Sequence, residues 1–105
     1  MKIYKDGILE AQPISITSLV PVRTSVASSI TTVTLINDNV ARKGAMVYND
    51  STSILYLALG SGASVTSFTY QISASSLYTI PFGYTGIVTG VWASVNGNAR
   101  ITEVQ

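Results

Sequence analysis

Along this chain apolar residues come in short runs that alternate with small polar ones, at a period of two rather than 3.6. Ile14 and Ile16 alternate with Ser15 and Thr17, and Leu19 continues the pattern. Residues 30–36 are β-branched almost throughout, which disfavours helix. Further strands are expected near 23–26, 65–72, 77–80, 87–93 and 99–104. Between them stand residues that close turns by bonding their own backbone or by tolerating positive φ, such as Asn37-Asp38-Asn39, Gly60-Ser61-Gly62 and Ala74-Ser75-Ser76. Pro81 closes one strand, and Gly90 inside 87–93 signals a bulge or a close backbone approach.

The stretch 44–60 reads as the organising unit. Residues 45–48 are apolar, Asn49-Asp50-Ser51-Thr52 form a turn, and 54–59 is the most apolar run of the chain. It is expected to be a hairpin at the centre of the fold. Asn96-Gly97 is the preferred pair of a two-residue type I′ hairpin. About eight strands with turn signals every 8–12 residues predict an all-β protein, an antiparallel β-sandwich with jelly-roll or immunoglobulin-like connections. The expected core is Val33, Leu35, Met46, Tyr48, Leu55, Leu57, Leu59, Phe68, Ile72, Ile80, Val88, Val91 and Trp92. A slip of one residue in any strand exchanges its two faces.

Residues 21–105 are assigned to this sandwich. Residues 1–20 read in two ways. Asp6-Gly7 between apolar pairs suggests a first hairpin, whereas the Pro13-flanked, sparsely apolar stretch suits an arm lying on another subunit.

At 105 residues the chain makes one domain with room for a single core. Six Lys and Arg against five Asp and Glu give a net charge of +1, too small for a sequence-independent nucleic-acid binder. From Ser51 to Ala99 there is no charged residue, and 14 Ser and 12 Thr carry most of the polarity. A soluble monomer ordinarily spreads mixed charge over its surface. A half-chain without any points either to surfaces covered by neighbouring subunits or to a neutral, hydroxyl-coated exterior. Residues 1–13 lack the apolar core of a secretory signal, and no run approaches the length of a membrane helix; neither membrane nor nucleic acid is expected as a partner.

Chemistry is harder to find. There is no Cys and no His, which removes thiol nucleophiles, the commonest general base and the commonest metal ligand. Nothing pairs Lys2, Lys5 or Lys43 with a serine nucleophile. The acids Asp6, Glu10, Asp38, Asp50 and Glu103 show no spacing suited to glycoside cleavage. Asn37-Asp38-Asn39 and Asn49-Asp50 lack the further acidic ligands of a calcium loop. Gly60-Ser61-Gly62 lacks the Gly-Lys-Ser/Thr of a phosphate cradle. The expectation is a non-enzyme without metal or cofactor. The candidate interface residues are the lone basic pair Arg42 and Lys43, the aromatic loop residues Phe82 and Tyr84, and Ile3 and Tyr4 near the start. Arg42 and Lys43 suit either an acidic partner or solvent. Tyr84 is the aromatic most expected to be exposed.

The segments Ala41-Arg42-Lys43-Gly44-Ala45, Tyr48-Asn49-Asp50-Ser51-Thr52, Leu55-Tyr56-Leu57 with Leu59-Gly60, Tyr78-Thr79-Ile80-Pro81 with Tyr84-Thr85-Gly86, and Gly90-Val91-Trp92 ahead of Gly97-Asn98-Ala99-Arg100 together resemble small virion-associated β-domain proteins of tailed phages. The resemblance spans about residues 41–103. It implies a structural protein of the virion without catalytic residues, either a capsid decoration (cement) protein or a head or tail appendage module. The expected partner is the major capsid protein or another virion protein, and the geometry of capsomer junctions suggests a homotrimer at quasi-threefold positions. The alternative is a tail fibre or spike module that reads a host surface glycan through Tyr84, Phe82 and neighbouring hydroxyls.

Overall fold

The computed structural model describes residues 19–105. They form eight strands and no helix: β1 (Pro21–Ala27), β2 (Val33–Ile36), β3 (Gly44–Asp50), β4 (Leu55–Leu59), β5 (Tyr70–Ile72), β6 (Leu77–Ile80), β7 (Val88–Trp92) and β8 (Asn98–Val104). Two four-stranded antiparallel sheets face each other, ordered β1-β8-β3-β6 and β2-β7-β4-β5. The strands pair as β1 with β8, β2 with β7, β3 with β6 and β4 with β5. The chain is thus one long hairpin of four strand pairs, rolled so that successive pairs fall in alternate sheets. This is jelly-roll wiring and not the immunoglobulin one.

That wiring overturns two local expectations. Residues 44–60 do supply two strands at the centre of the sandwich, but β3 and β4 lie in opposite sheets and do not pair. Asn96-Gly97 likewise joins β7 to β8 across the sandwich rather than closing a hairpin. Gly97 is still required there, at φ 71°, because a Cβ would strike the Asp50 carbonyl. β1 begins at Pro21, two residues ahead of the strand expected near 23–26, and of the run 65–72 only Tyr70–Ile72 is strand.

The core lies between the sheets. Ala45, Val47, Ile80, Ala99 and Ile101 face Leu35, Leu55, Leu57, Ile72, Val88 and Trp92. In β3 the expected face is off by one: Met46 is exposed and Tyr48 half-exposed, while Ala45, Val47 and Asn49 point inward. Four consecutive apolar residues, 45–48, carry no alternation to settle the face, and the inward side chain that settles it is polar. Gly90 has no room for a side chain, since a Cβ would sit 2.8 Å from Leu35 Cδ1 and 2.9 Å from Leu55 Cδ1. The pairing of β2 with β7 shifts register between Thr34 and Ile36 in the same region.

All five residues of β7 are buried. It is an inner strand, and the 60–69 segment crosses its outer face. There Thr89 Oγ1 donates to the Gly60 carbonyl at 2.7 Å and accepts from the Ala63 N–H at 3.1 Å. The exposed Phe68 belongs to this segment and not to the core, with its ring 5.1 Å from that of Tyr56. One flank of the sandwich, between β5 and β6, is closed by Tyr70 stacked on Tyr78 at 4.7 Å.

Candidate functional site

The strand order sends the 37–43, 60–69 and 81–87 connections, with the end of β8, to one end of the sandwich. Four of the six candidate interface residues come together there: Arg42 and Lys43 on the first connection, Phe82 and Tyr84 on the third. Ile3 and Tyr4 lie outside the described residues.

Arg42 is not a surface cation. It is 2% exposed, and its guanidinium is consumed inside the protein. Nε donates to Glu103 Oε2 at 2.7 Å, Nη1 to the carbonyls of Tyr84 (3.0 Å) and Gly86 (2.9 Å), and Nη2 to the Asn37 carbonyl. The planar fork suits this task, because it serves several acceptors from one fixed geometry. One side chain thus ties the β2–β3 connection, the β6–β7 connection and the C-terminal end of β8. A backbone bond from the Asn39 N–H to the Thr85 carbonyl, 2.8 Å, joins the two connections again. Lys43, the other member of the pair, is exposed, with Nζ donating to the Ala41 carbonyl at 3.1 Å.

The aromatic loop also differs from its sequence reading. Tyr84 turns inward, packs against the core and donates its phenol to the Ile87 carbonyl at 2.7 Å. Phe82 instead points out, 83% exposed. Val40, at the tip of the β2–β3 connection, is 94% exposed. Among the described residues these are the two most exposed large apolar side chains. They stand on two connections that Arg42 binds together. Val40 was legible only as an apolar residue stranded in a turn of Asn and Asp.

At the far end of β3 a second polar node holds the framework. Asn49 is fully buried, and its amide donates to the carbonyls of Ser53 (2.7 Å) and Ile72 (2.8 Å). Its Oδ1 accepts from Ser51 Oγ at 2.7 Å and from Trp92 Nε1 at 3.3 Å. Every hydrogen-bonding position of this side chain is therefore used, which is what makes its burial affordable. Arg42 and Asn49 bracket β3 at its two ends, each crossing between the sheets.

Among the described residues no nucleophile has a base beside it. What this end presents is a pair of apolar side chains on braced connections, Val40 on a connection with the charged Asp38 and Lys43 and Phe82 on a connection without charge. No family model matches the chain, and neither does any curated protein or solved structure.

Proposed function

We propose that this protein is a capsid decoration protein of a tailed phage, which stabilises the assembled shell by bridging capsomers, grouped as homotrimers at quasi-threefold positions. The observation that carries the reading is the pair Val40 and Phe82, held outward on connections that Arg42 and the Asn39–Thr85 bond tie together. The resemblance in residues 41–103 supplies the phage context, and the charge-free stretch from Ser51 to Ala99 suits a surface that spends its life covered.

Exposed aromatic side chains that enter a partner's pocket are the usual anchors of an interface. Bracing the connections lowers the cost of binding, since their backbone is already ordered before the partner arrives. Each contact is small, but symmetry repeats it over the shell and the repeats act together. Because the protein would bind the assembled shell and not its dissociated subunits, it shifts the balance towards assembly. A site held at a free concentration of about 100 Kd adds roughly 2.7 kcal/mol.

The glycan-reading alternative keeps Phe82 as a stacking surface but loses Tyr84, whose phenol is committed to Ile87. The test is co-sedimentation with empty shells of the parent phage. Binding that saturates, together with a raised shell melting temperature, is the expected outcome. Shells that neither bind the protein nor melt differently in its presence reject the reading.

A further inference from the structure

Where Tyr70 and Tyr78 close one flank of the sandwich, the opposite flank is open among the described residues. Between β1 and β2 runs a groove of about 410 Å³, lined by Val22, Thr24 and Val26 on one wall and by Leu35 and Ile36 on the other. Above it lies the outer edge of β1, seven residues long and without a partner among the described residues. Such an edge is a template for another strand.

The hydrogen-bond parity of β1 fixes what the template accepts. Val20 and Gln105 exchange backbone bonds of 2.8 and 3.0 Å, and the Ser28 N–H donates to the Gly97 carbonyl at 3.1 Å. Even-numbered residues therefore bond towards β8. Residues 21, 23, 25 and 27 direct their backbone groups outward, and Pro21 has no N–H to offer.

We propose that this edge pairs antiparallel with the same strand of a second copy, about a two-fold axis at Ser25. This alignment sets Arg23 against Ala27, Ser25 against Ser25, and Ala27 against Arg23, giving about six backbone hydrogen bonds. Pro21 falls outside the paired run. Centring on Arg23 opposes two arginines, centring on Thr24 sets Pro21 against Ala27 and loses its donors, and centring on Val26 leaves only two full pairs. Along the underside Val26 of each copy meets Thr24 of the other, and the two inward rows roof the open grooves. The strand thus complements itself in hydrogen bonding, and in this register its one charged residue, Arg23, faces the small Ala27 rather than its own copy, which favours a second copy as occupant. The pairing is independent of any shell. On one, it would link neighbouring trimers into a net.

The experiment uses the full chain, which has no cysteine of its own. In the proposed register Ser25→Cys places two Cα atoms about 5.5 Å apart, within disulfide range. Under mild oxidation this variant should form a covalent dimer roughly tenfold or more faster than Val95→Cys, an exposed control at the far end. Sedimentation velocity of the unmodified chain at tens of micromolar should show the dimer, at the affinity ordinary for a small edge interface. Ser25→Pro should return it to monomer, since its N–H faces away from β8 and the fold keeps its backbone bonds, losing only the exposed bond from Arg100 Nη1 to Ser25 Oγ. Equal crosslinking of the two cysteine variants with a monomeric parent overturns the proposal. So does a Ser25 crosslink that appears only once residues 1–18 are deleted, for then those residues hold the edge.

Discussion

Replacing Arg42 by methionine removes the brace while keeping most of its apolar stem volume. Four hydrogen bonds vanish, leaving the carbonyls of Asn37, Tyr84 and Gly86 and the Glu103 carboxylate, 15% exposed, without their donor. Breaking a buried ion pair on one side costs about 3–5 kcal/mol, because the remaining charge stays desolvated. Each orphaned carbonyl would add about 1–3 kcal/mol if kept dry, but the site lies at an end where water can enter. The expected loss is therefore the ion-pair value, about 3–5 kcal/mol, out of a total near 5–15 kcal/mol. At about 4–8 °C per kcal/mol the melting temperature should fall by roughly 12 °C or more. Urea unfolding followed by Trp92, the only tryptophan and 1% exposed, reads this directly. Arg42→Met/Glu103→Gln should recover part of the loss, since the stranded charge is gone. A single variant within about 1 kcal/mol of the parent would refute the reasoning, because so small a loss matches a solvent-exposed pair.

Other expectations are of the same kind. Gly90→Ala should cost about 1–3 kcal/mol by overpacking against Leu35 and Leu55, and Leu35→Val in the same chain should return some of it in a thermal melt. Asn49→Asp turns a donor into an anion facing the Ser53 and Ile72 carbonyls. The folded state then favours the protonated acid, so the deficit against the parent is small below the ordinary carboxylate range and grows as pH rises through and above it, which urea titrations at several pH values will show. Val40→Ser/Phe82→Ala should leave stability within about 0.5 kcal/mol, both side chains being exposed, yet weaken co-sedimentation with shells at least about tenfold through the lost anchor.

The sequence carried the fold class well, because strand existence depends on local pattern. Residues 77–80 were readable as β6 from Leu77 to the Pro81 stop, and Gly90 announced the close approach that Leu35 and Leu55 make to it. Pairing was not legible. The turn chemistry of 49–52 and of Asn96-Gly97 marks where the chain reverses but not whether it returns to the same sheet, and jelly-roll wiring sends it across. The face of β3 hid behind four apolar residues in a row. The site was half legible: the basic pair and the aromatic loop were visible as oddities, but nothing local tells a buried arginine from a solvated one. Glu103, which pairs with Arg42, lies 61 residues further along the chain. Likewise Tyr84, with its polar tip, reads on paper as the ring to be exposed, and only the Ile87 carbonyl, three residues on, turns it inward and leaves Phe82 outside.

The most direct measurement is an electron-microscopic reconstruction of the purified parent phage particle. A decoration protein of this kind should give density for its sandwich on the outer shell at capsomer junctions, with the Val40 and Phe82 end against the capsid protein. Density confined to the tail, or a particle from which the protein is missing altogether, would contradict that role.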